Sequence, residues 1–175
     1  MPKRVFETPW FVIEEIKSRP EWHMGKAPFY RMSGPDHVLV IPVTPKGDLV
    51  MVRQFRPARD AFTIEFPAGG IDGSETGDAA ARRELLEETG YVANEWIRVG
   101  YSGMANQRDA ATCHVYCALD IRQVEQGREP GVEAVIMSPA DIVRHARANE
   151  MDMLVSLGAI FLAKAQLGNR IPNFW

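Results

Sequence analysis

Apolar and polar residues alternate in WFVIEEIKS (10–18) and APFYRMSG (27–34), which predicts two early strands joined by a turn around Pro20 and Gly25. A longer run, DHVLVIPVT (36–44), predicts the next strand. TPKGD reads as a turn from its Pro and Gly, DLVMVRQF as a strand after it, and AFTIEFPAGGI as another that stops at the Pro and paired Gly, so the three strands read as a meander. The period then changes. Residues 78–89 place Ala81 and Leu85 four apart among strong helix formers, with Asp78 in the first turn and Gly90 as the stop. Strands return in EWIRVGYSG, TCHVYCALD and VEAVIMS, and SPADIVRHARANE and DMLVSLGAIFLAKAQLG close the chain as helices. Mixed strands with a helix in the middle and helices at the end predict an α/β layered domain without internal repeats.

Composition narrows what such a domain can do. The 175 residues are 46% hydrophobic and 25% charged with a net charge of −3, enough for one domain with a sizeable core. The near-neutral balance, without a basic run, argues against nucleic acid or a membrane surface as partner and favours a small molecule. No apolar stretch is long enough to span a bilayer, and MPKRVFETPWF lacks the apolar core of a signal peptide, so a cytoplasmic location is expected. The two cysteines, Cys113 and Cys117, alternate with Val115 and Leu119 on one strand face, while His114 points to the other. They read as reduced, buried thiols rather than metal ligands.

The helix carries an electrostatic problem. Glu84 lies three residues from Glu87 and four from Glu88, so the three carboxylates share one face close to the negative end of the helix dipole. Each like-charge pair costs an isolated helix roughly 0.2–0.5 kcal/mol, and the dipole adds about 0.3–1 kcal/mol per carboxylate. Arg82 and Arg83 relieve part of this, but from their place early in the helix they are not expected to screen three acids at its end. A hard divalent cation would. Carboxylate oxygens without His or Cys suit Mg²⁺ or Mn²⁺, shared with substrate phosphates. Arg53 and Arg56 in VRQFR are candidates for a phosphate clamp, because guanidinium forks match phosphate oxygens.

Gly69, Glu75, Arg83, Glu84, Leu85, Glu87, Glu88, Gly90 and Tyr91 together form the pattern G-x5-E-x7-R-E-U-x-E-E-x-G-U, where U is apolar. It resembles the Nudix box. Seven fixed letters at about 7% each coincide by chance in a chain of this length roughly once in a million. Tyr91 stands where that family usually has an aliphatic residue. VRQFRP followed by IEFPAGGI is similar to the approach to the box in the branch of ADP-ribose pyrophosphatases and nucleoside diphosphate sugar hydrolases. The resemblance implies the Nudix fold, an α/β/α sandwich around a mixed sheet. It also implies residues 1–36 as an N-terminal antiparallel β segment exchanged across a homodimer, with 37–175 as the Nudix domain.

Carried over residue by residue, the resemblance implies Glu84 and Glu88 as the main metal ligands, Glu87 as a further one and the Ala68 carbonyl as another donor beside Gly69. Glu75 would pair with Arg83 and orient the ligands. The base that activates water would come from the loop QVEQGREPGVEAV, through Glu129 or Glu133, or from a box glutamate. Trp10, Phe11, Phe29 and Tyr30 are available to stack on a nucleobase, with Phe29 taken as the representative; Trp22, Trp96 and Trp175 rank lower. Asn106, Gln107, Arg108 and Asp109 lie in the loop that stands in place of the branch's proline motif and, by that position, are candidates to read the sugar.

The implied reaction is Mg²⁺-dependent hydrolysis of a nucleoside diphosphate sugar, ADP-ribose first, giving AMP and ribose 5-phosphate. The branch usually carries a proline shortly after the box, whereas this chain has YSGMANQRDAA, so GDP-mannose and UDP-sugars stay open. A nucleotide-sugar sensor that binds without hydrolysis is the reading from another class. Retention of all three box glutamates argues against it.

Overall fold

The computed structural model describes residues 2–19, 21, 28–124, 129–151 and 153–174. The expected turn around Pro20 and Gly25, and Trp22 and Trp175, lie outside the described residues. Among the described residues there are three sheets. β1 (Lys3–Glu7), β2 (Val12–Ile16) and β3 (Phe29–Ser33) form an antiparallel N-terminal sheet in the order β1-β2-β3. β4 (His37–Pro42), β5 (Leu49–Arg56), β6 (Ala61–Glu65) and β7 (Ala68–Gly70) follow, then helix α1 (Gly77–Thr89). The chain continues through β8 (Tyr91–Gly103), β9 (Thr112–Gln123), β10 (Val132–Met137), α2 (Pro139–Arg147) and α3 (Leu154–Leu167). One central sheet has the order β10-β5-β6; the other, β7-β4-β9-β8, is mixed because β4 and β9 run parallel.

Strict alternation along β4 and β9 sorts the core into two layers. Val38 and Val40 of β4 join Tyr116 and Ala118 of β9 against Ala80, Ala81 and Leu85 of α1. Leu39 and Ile41 join Cys113, Val115 and Cys117 on the other face, with Ile142 of α2 and Ala159, Ile160 and Ala163 of α3. A sheet buried on both faces between helices is the expected α/β/α sandwich. Both thiols are free, and burial pushes Cys113 up to about 11 and Cys117 up to about 12, which leaves them inert.

Local sequence sets the helix ends. The Thr76 hydroxyl accepts from the Ala79 N–H at 3.2 Å, and Gly90, at φ 72°, donates its N–H to the Leu86 carbonyl. Ser138 and Asp141 close a capping box at the start of α2, with Pro139 in its first turn.

Four expectations change. KRVFE is a strand that alternation does not reveal, because all five residues of β1 are exposed. AFTIEFPAGGI is two strands, not one: β6 pairs with β5, the chain crosses at Phe66–Pro67, and β7 pairs with β4 in the other sheet. The meander fails for the same reason, since β4 and β5 share only the isolated bridge Val43–Leu49 before they part into different sheets. β8 begins at Tyr91, ahead of the expected segment, and carries a register shift between Arg98 and Gly100.

Candidate active site

The C-terminal half of α1 faces β7 and the end of β5, leaving a cleft of about 790 Å³ lined by Arg83, Glu84, Glu87, Glu88 and Glu129 with Gln54, Arg56, Ala68, Gly69, Gly70 and Trp10. Glu84 and Glu88 are buried, at 7% and 4% exposure. The Glu87 side chain is half exposed. Close approach explains Gly69: a Cβ there would lie 2.0 Å from Glu84 Oε1 and 2.3 Å from its Cδ, so any side chain would displace that carboxylate.

Arg83 does more than its position in the sequence suggested. Its Nε and Nη2 donate to the two oxygens of Glu75 at 3.1 and 3.0 Å, and Nη2 also donates to the Gly70 carbonyl at 2.9 Å. Nη1 donates to Glu84 at 2.7 Å and to Glu87 at 3.2 Å. These contacts, with Glu75 foremost, raise the guanidinium further above its ordinary value. The expectation that basic residues could not screen the box acids is therefore corrected: Arg83 sits mid-helix, one residue from Glu84 and one turn from Glu87. It does not reach Glu88 by any such bond. That carboxylate accepts instead from the Ala68 N–H at 2.9 Å.

Burial, rather than distance from Arg83, decides which acids are perturbed. Burial pushes Glu88 up to about 8; Glu84 and Glu129 add repulsion, while the Ala68 amide and Arg56 oppose it. Burial also raises Glu84, against the pull of Arg83. Among the described residues no three carboxylate, imidazole or thiolate groups converge on one point. Arg83 holds Glu84 and Glu87 while Ala68 holds Glu88, which accounts for that. In kind, the donors suit a hard cation: buried carboxylates on one face of a cleft, beside a glycine that keeps the space open.

Arg56 is fixed from behind. Its Nε and Nη2 donate to the two oxygens of Glu65 at 2.9 and 2.6 Å, and the Thr63 hydroxyl donates to the same carboxylate at 2.5 Å. Burial tends to raise Glu65, yet Arg56 and Thr63 bring it below the ordinary carboxylate range. Gln54 stands two residues before Arg56 on the same strand face.

The sequence-predicted residues divide into groups. Glu84, Glu87, Glu88, Glu129, Arg56, Ala68 and Gly69 come together in the cleft. Arg53 and Glu133 do not join them: they pair with each other at 3.4 Å across β5 and β10, and Arg53 lies 4.0 Å over the Phe62 ring. Phe29 and Asn106 line a separate cavity of about 300 Å³. Trp10, not Phe29, stands at the rim of the acidic cleft. It also lines an apolar bay of about 450 Å³ with Pro9, Phe11, Met32 and Pro35. Sequence reasoning missed Gln54, which the period-two spacing from Arg56 could have suggested, and Glu65, which stands opposite Val52 on the strand face shared with Arg56 and is reached by the length of the arginine side chain.

Residues 35–156 match the NUDIX domain, about two thirds of the chain. The chain belongs to that family. Nudix hydrolases generally use divalent metal ions. It is 34% identical over 95 residues to an ADP-ribose pyrophosphatase of Bacillus subtilis, covering 54% of this chain and 51% of that protein. It is 42% identical over 90 residues to an ADP-sugar pyrophosphatase of Mus musculus, covering 49% and 41%. An ADP compounds hydrolase of Escherichia coli is 27% identical over 148 residues, 82% of this chain and 74% of that one. The chain spans about half the length of the first two relatives it matches. A crystal structure of an ADP compounds hydrolase shares the fold, with a TM-score of 0.82 at 21% identity over 97% of this chain and 93% of that one. Among the described residues no helix is long and apolar enough to cross a membrane.

Proposed function

We propose that the protein hydrolyses the pyrophosphate bond of a nucleoside diphosphate sugar, with ADP-ribose as the first substrate to test and AMP and ribose 5-phosphate as its products. The observation that carries this reading is the pair of buried carboxylates, Glu84 and Glu88, facing the same cleft as the braced guanidinium of Arg56. The relatives named for ADP-ribose and ADP-sugars support an adenosine diphosphate compound; GDP-mannose and UDP-sugars belong in the same trial.

We assign Mg²⁺, with Mn²⁺ as a substitute, to Glu84, Glu88 and Glu87 and the Ala68 carbonyl. When bound, the ion would neutralise phosphoryl charge and lower the pKa of a water. The chain's own groups would supply the rest. Arg56, with Nε and Nη2 engaged by Glu65, can turn Nη1 to a phosphate oxygen without losing its brace. Glu75, through Arg83, would keep Glu84 turned to the cleft. Glu129 lines the cleft and can take a proton from water, a role for which Glu133, paired with Arg53, is poorly placed. Trp10 offers a ring face between the acidic cleft and the apolar bay, suited to a base. We also take the protein to act as a homodimer; the exposed residues of β1 support an N-terminal sheet shared between copies.

The test is a panel of nucleotide sugars incubated with Mg²⁺ or Mn²⁺, with products separated by ion-exchange chromatography. Cleavage to a nucleoside monophosphate and a sugar phosphate that stops in EDTA is the expected result. Tight binding without turnover across the panel would replace the hydrolase with a sensor.

A further inference from the structure

Backbone contacts fix Glu129 at the cleft. The last turn of α1 leaves the Glu87 carbonyl without a donor from its own helix, because the Tyr91 N–H turns to the Thr89 hydroxyl at 3.2 Å. The Glu129 N–H fills that place, donating to the Glu87 carbonyl at 2.8 Å. The Val124 N–H donates to the Gly90 carbonyl at 2.8 Å, so the chain after β9 meets the end of α1 twice.

Beyond Glu129 the chain reverses at once. The Val132 N–H donates to the Glu129 carbonyl at 3.3 Å across Pro130 and Gly131, and Gly131 has φ 86°. These are the features of a type II turn, with proline at its first central position and glycine at its second. Proline fixes its own φ at about −65° and keeps the residue before it out of helical backbone, while the positive φ that follows suits glycine. Val132 then pairs with Gln54 of β5, two residues from Arg56. The turn bridges the helix that carries the box acids and the strand that carries the arginine.

The Glu129 charge is felt at both. Burial is the main cause that raises Glu84 and Glu88, and Glu129 adds to it in each. Glu65 is the main cause that raises Arg56, and Glu129 adds to that as well. Glu133, four residues on, is engaged by Arg53 away from the cleft.

We infer that the Pro130–Gly131 turn is a positioning device: it holds the Glu129 carboxylate between the box glutamates and Arg56 before substrate arrives, so that backbone geometry sets the base for the attacking water. Its chemistry rests on the hydrolase reading, whereas the placement is a property of the metal-free chain. A base already in place needs no ordering in the transition state.

Gly131→Ala tests it. A Cβ at Gly131 would meet nothing within 4 Å, so the methyl acts on the backbone alone. On the best nucleotide sugar, kcat should fall at least about tenfold with KM within about twofold of the parent, and Gly131→Asn, which tolerates positive φ, should lose less. In a Glu129→Gln protein, already slow, adding Gly131→Ala should change kcat by less than about twofold, because the turn acts through that carboxylate. Amide hydrogen exchange in EDTA gives a readout apart from turnover: the Glu129 N–H should be protected in the parent and exchange at least about tenfold faster in Gly131→Ala. Melting temperatures identify a variant that fails to fold, and Gly131→Asn together with the parent's own exchange then decides. An unprotected Glu129 N–H in the parent, a Gly131→Ala protein with the parent's kcat, or an equal loss in the Glu129→Gln background overturns the inference. A parent that cleaves no nucleotide sugar while its Glu129 N–H is protected would instead overturn the hydrolase reading, and the role as base with it.

Discussion

Replacing Glu88 by glutamine separates what this side chain does for stability from what it does for the reaction. Glutamine keeps nearly the same volume and can still accept from the Ala68 N–H, but it carries no charge into a site 4% exposed. In the metal-free protein burial holds the Glu88 carboxyl up to about 8, against an ordinary 4.5. Between those values the folded state binds the extra proton, so its stability falls as pH rises and the loss is complete only above about 8. At about 1.4 kcal/mol per pH unit, the rise from 4.5 to 7 removes about 3 kcal/mol, which the glutamine variant retains. With a urea m value of about 2 kcal/mol/M, its unfolding midpoint at pH 7 in EDTA should lie roughly 1 to 2 M above that of the parent. Glu84 is raised by burial as well, so a shallower fall with pH should persist in the variant. Turnover with metal should drop by more than about a hundredfold. Urea unfolding at pH 5, 6, 7 and 8 in EDTA, with m checked for constancy, gives the answer. A parent protein whose midpoint does not fall with pH, together with a variant no more stable than the parent, would refute the burial argument.

Gly69→Ala should lower turnover at least about tenfold while the melting temperature falls by only a few degrees, because the methyl displaces the carboxylate end of the Glu84 side chain rather than backbone. Glu65→Ala should destabilise by about 2 kcal/mol in urea, less than a fully buried pair because Arg56 is partly solvated, and should raise KM as Arg56 loses its brace. Arg56→Ala should reduce kcat/KM at least about tenfold more than Arg53→Ala, whose partner Glu133 lies away from the cleft; equal effects would restore Arg53 to the phosphate clamp. Ser138→Ala should cost about 1 kcal/mol in thermal unfolding by opening the capping box of α2.

Much of this architecture is legible in local pattern, and the parts that are not share a cause. β4 and β5 can be read as short apolar runs set off by turn residues, because both faces of their strands are buried, β9 by its alternation, and α1 because Ala81, Leu85 and Gly90 mark its face and end. β1 escapes because a strand exposed along its length leaves no such mark. The split of β6 from β7 escapes because pairing partners, not composition, decide which sheet a three-residue strand joins. In the site, Glu84 and Glu88 stand out by helical spacing alone. The roles of Arg83 and Glu65 depend on where side chains end after the chain has folded. Spacing could not choose between Arg53 and Arg56 until the strand's faces were known.

The chain crosses between the two central sheets within Glu65–Phe66–Pro67–Ala68, and each end of that short seam carries half of the site. Glu65 grips Arg56 on one side; three residues on, the Ala68 amide grips Glu88. Phe66, wholly buried, nails the seam into the core. Relative travel of the two sheets would thus be felt at once as a change in the gap between cationic and acidic walls. Inserting even one residue between Glu65 and Ala68 would part them, whereas the exposed hairpin tip at Arg59–Asp60, at the far end of the same strand pair, has room for extra length.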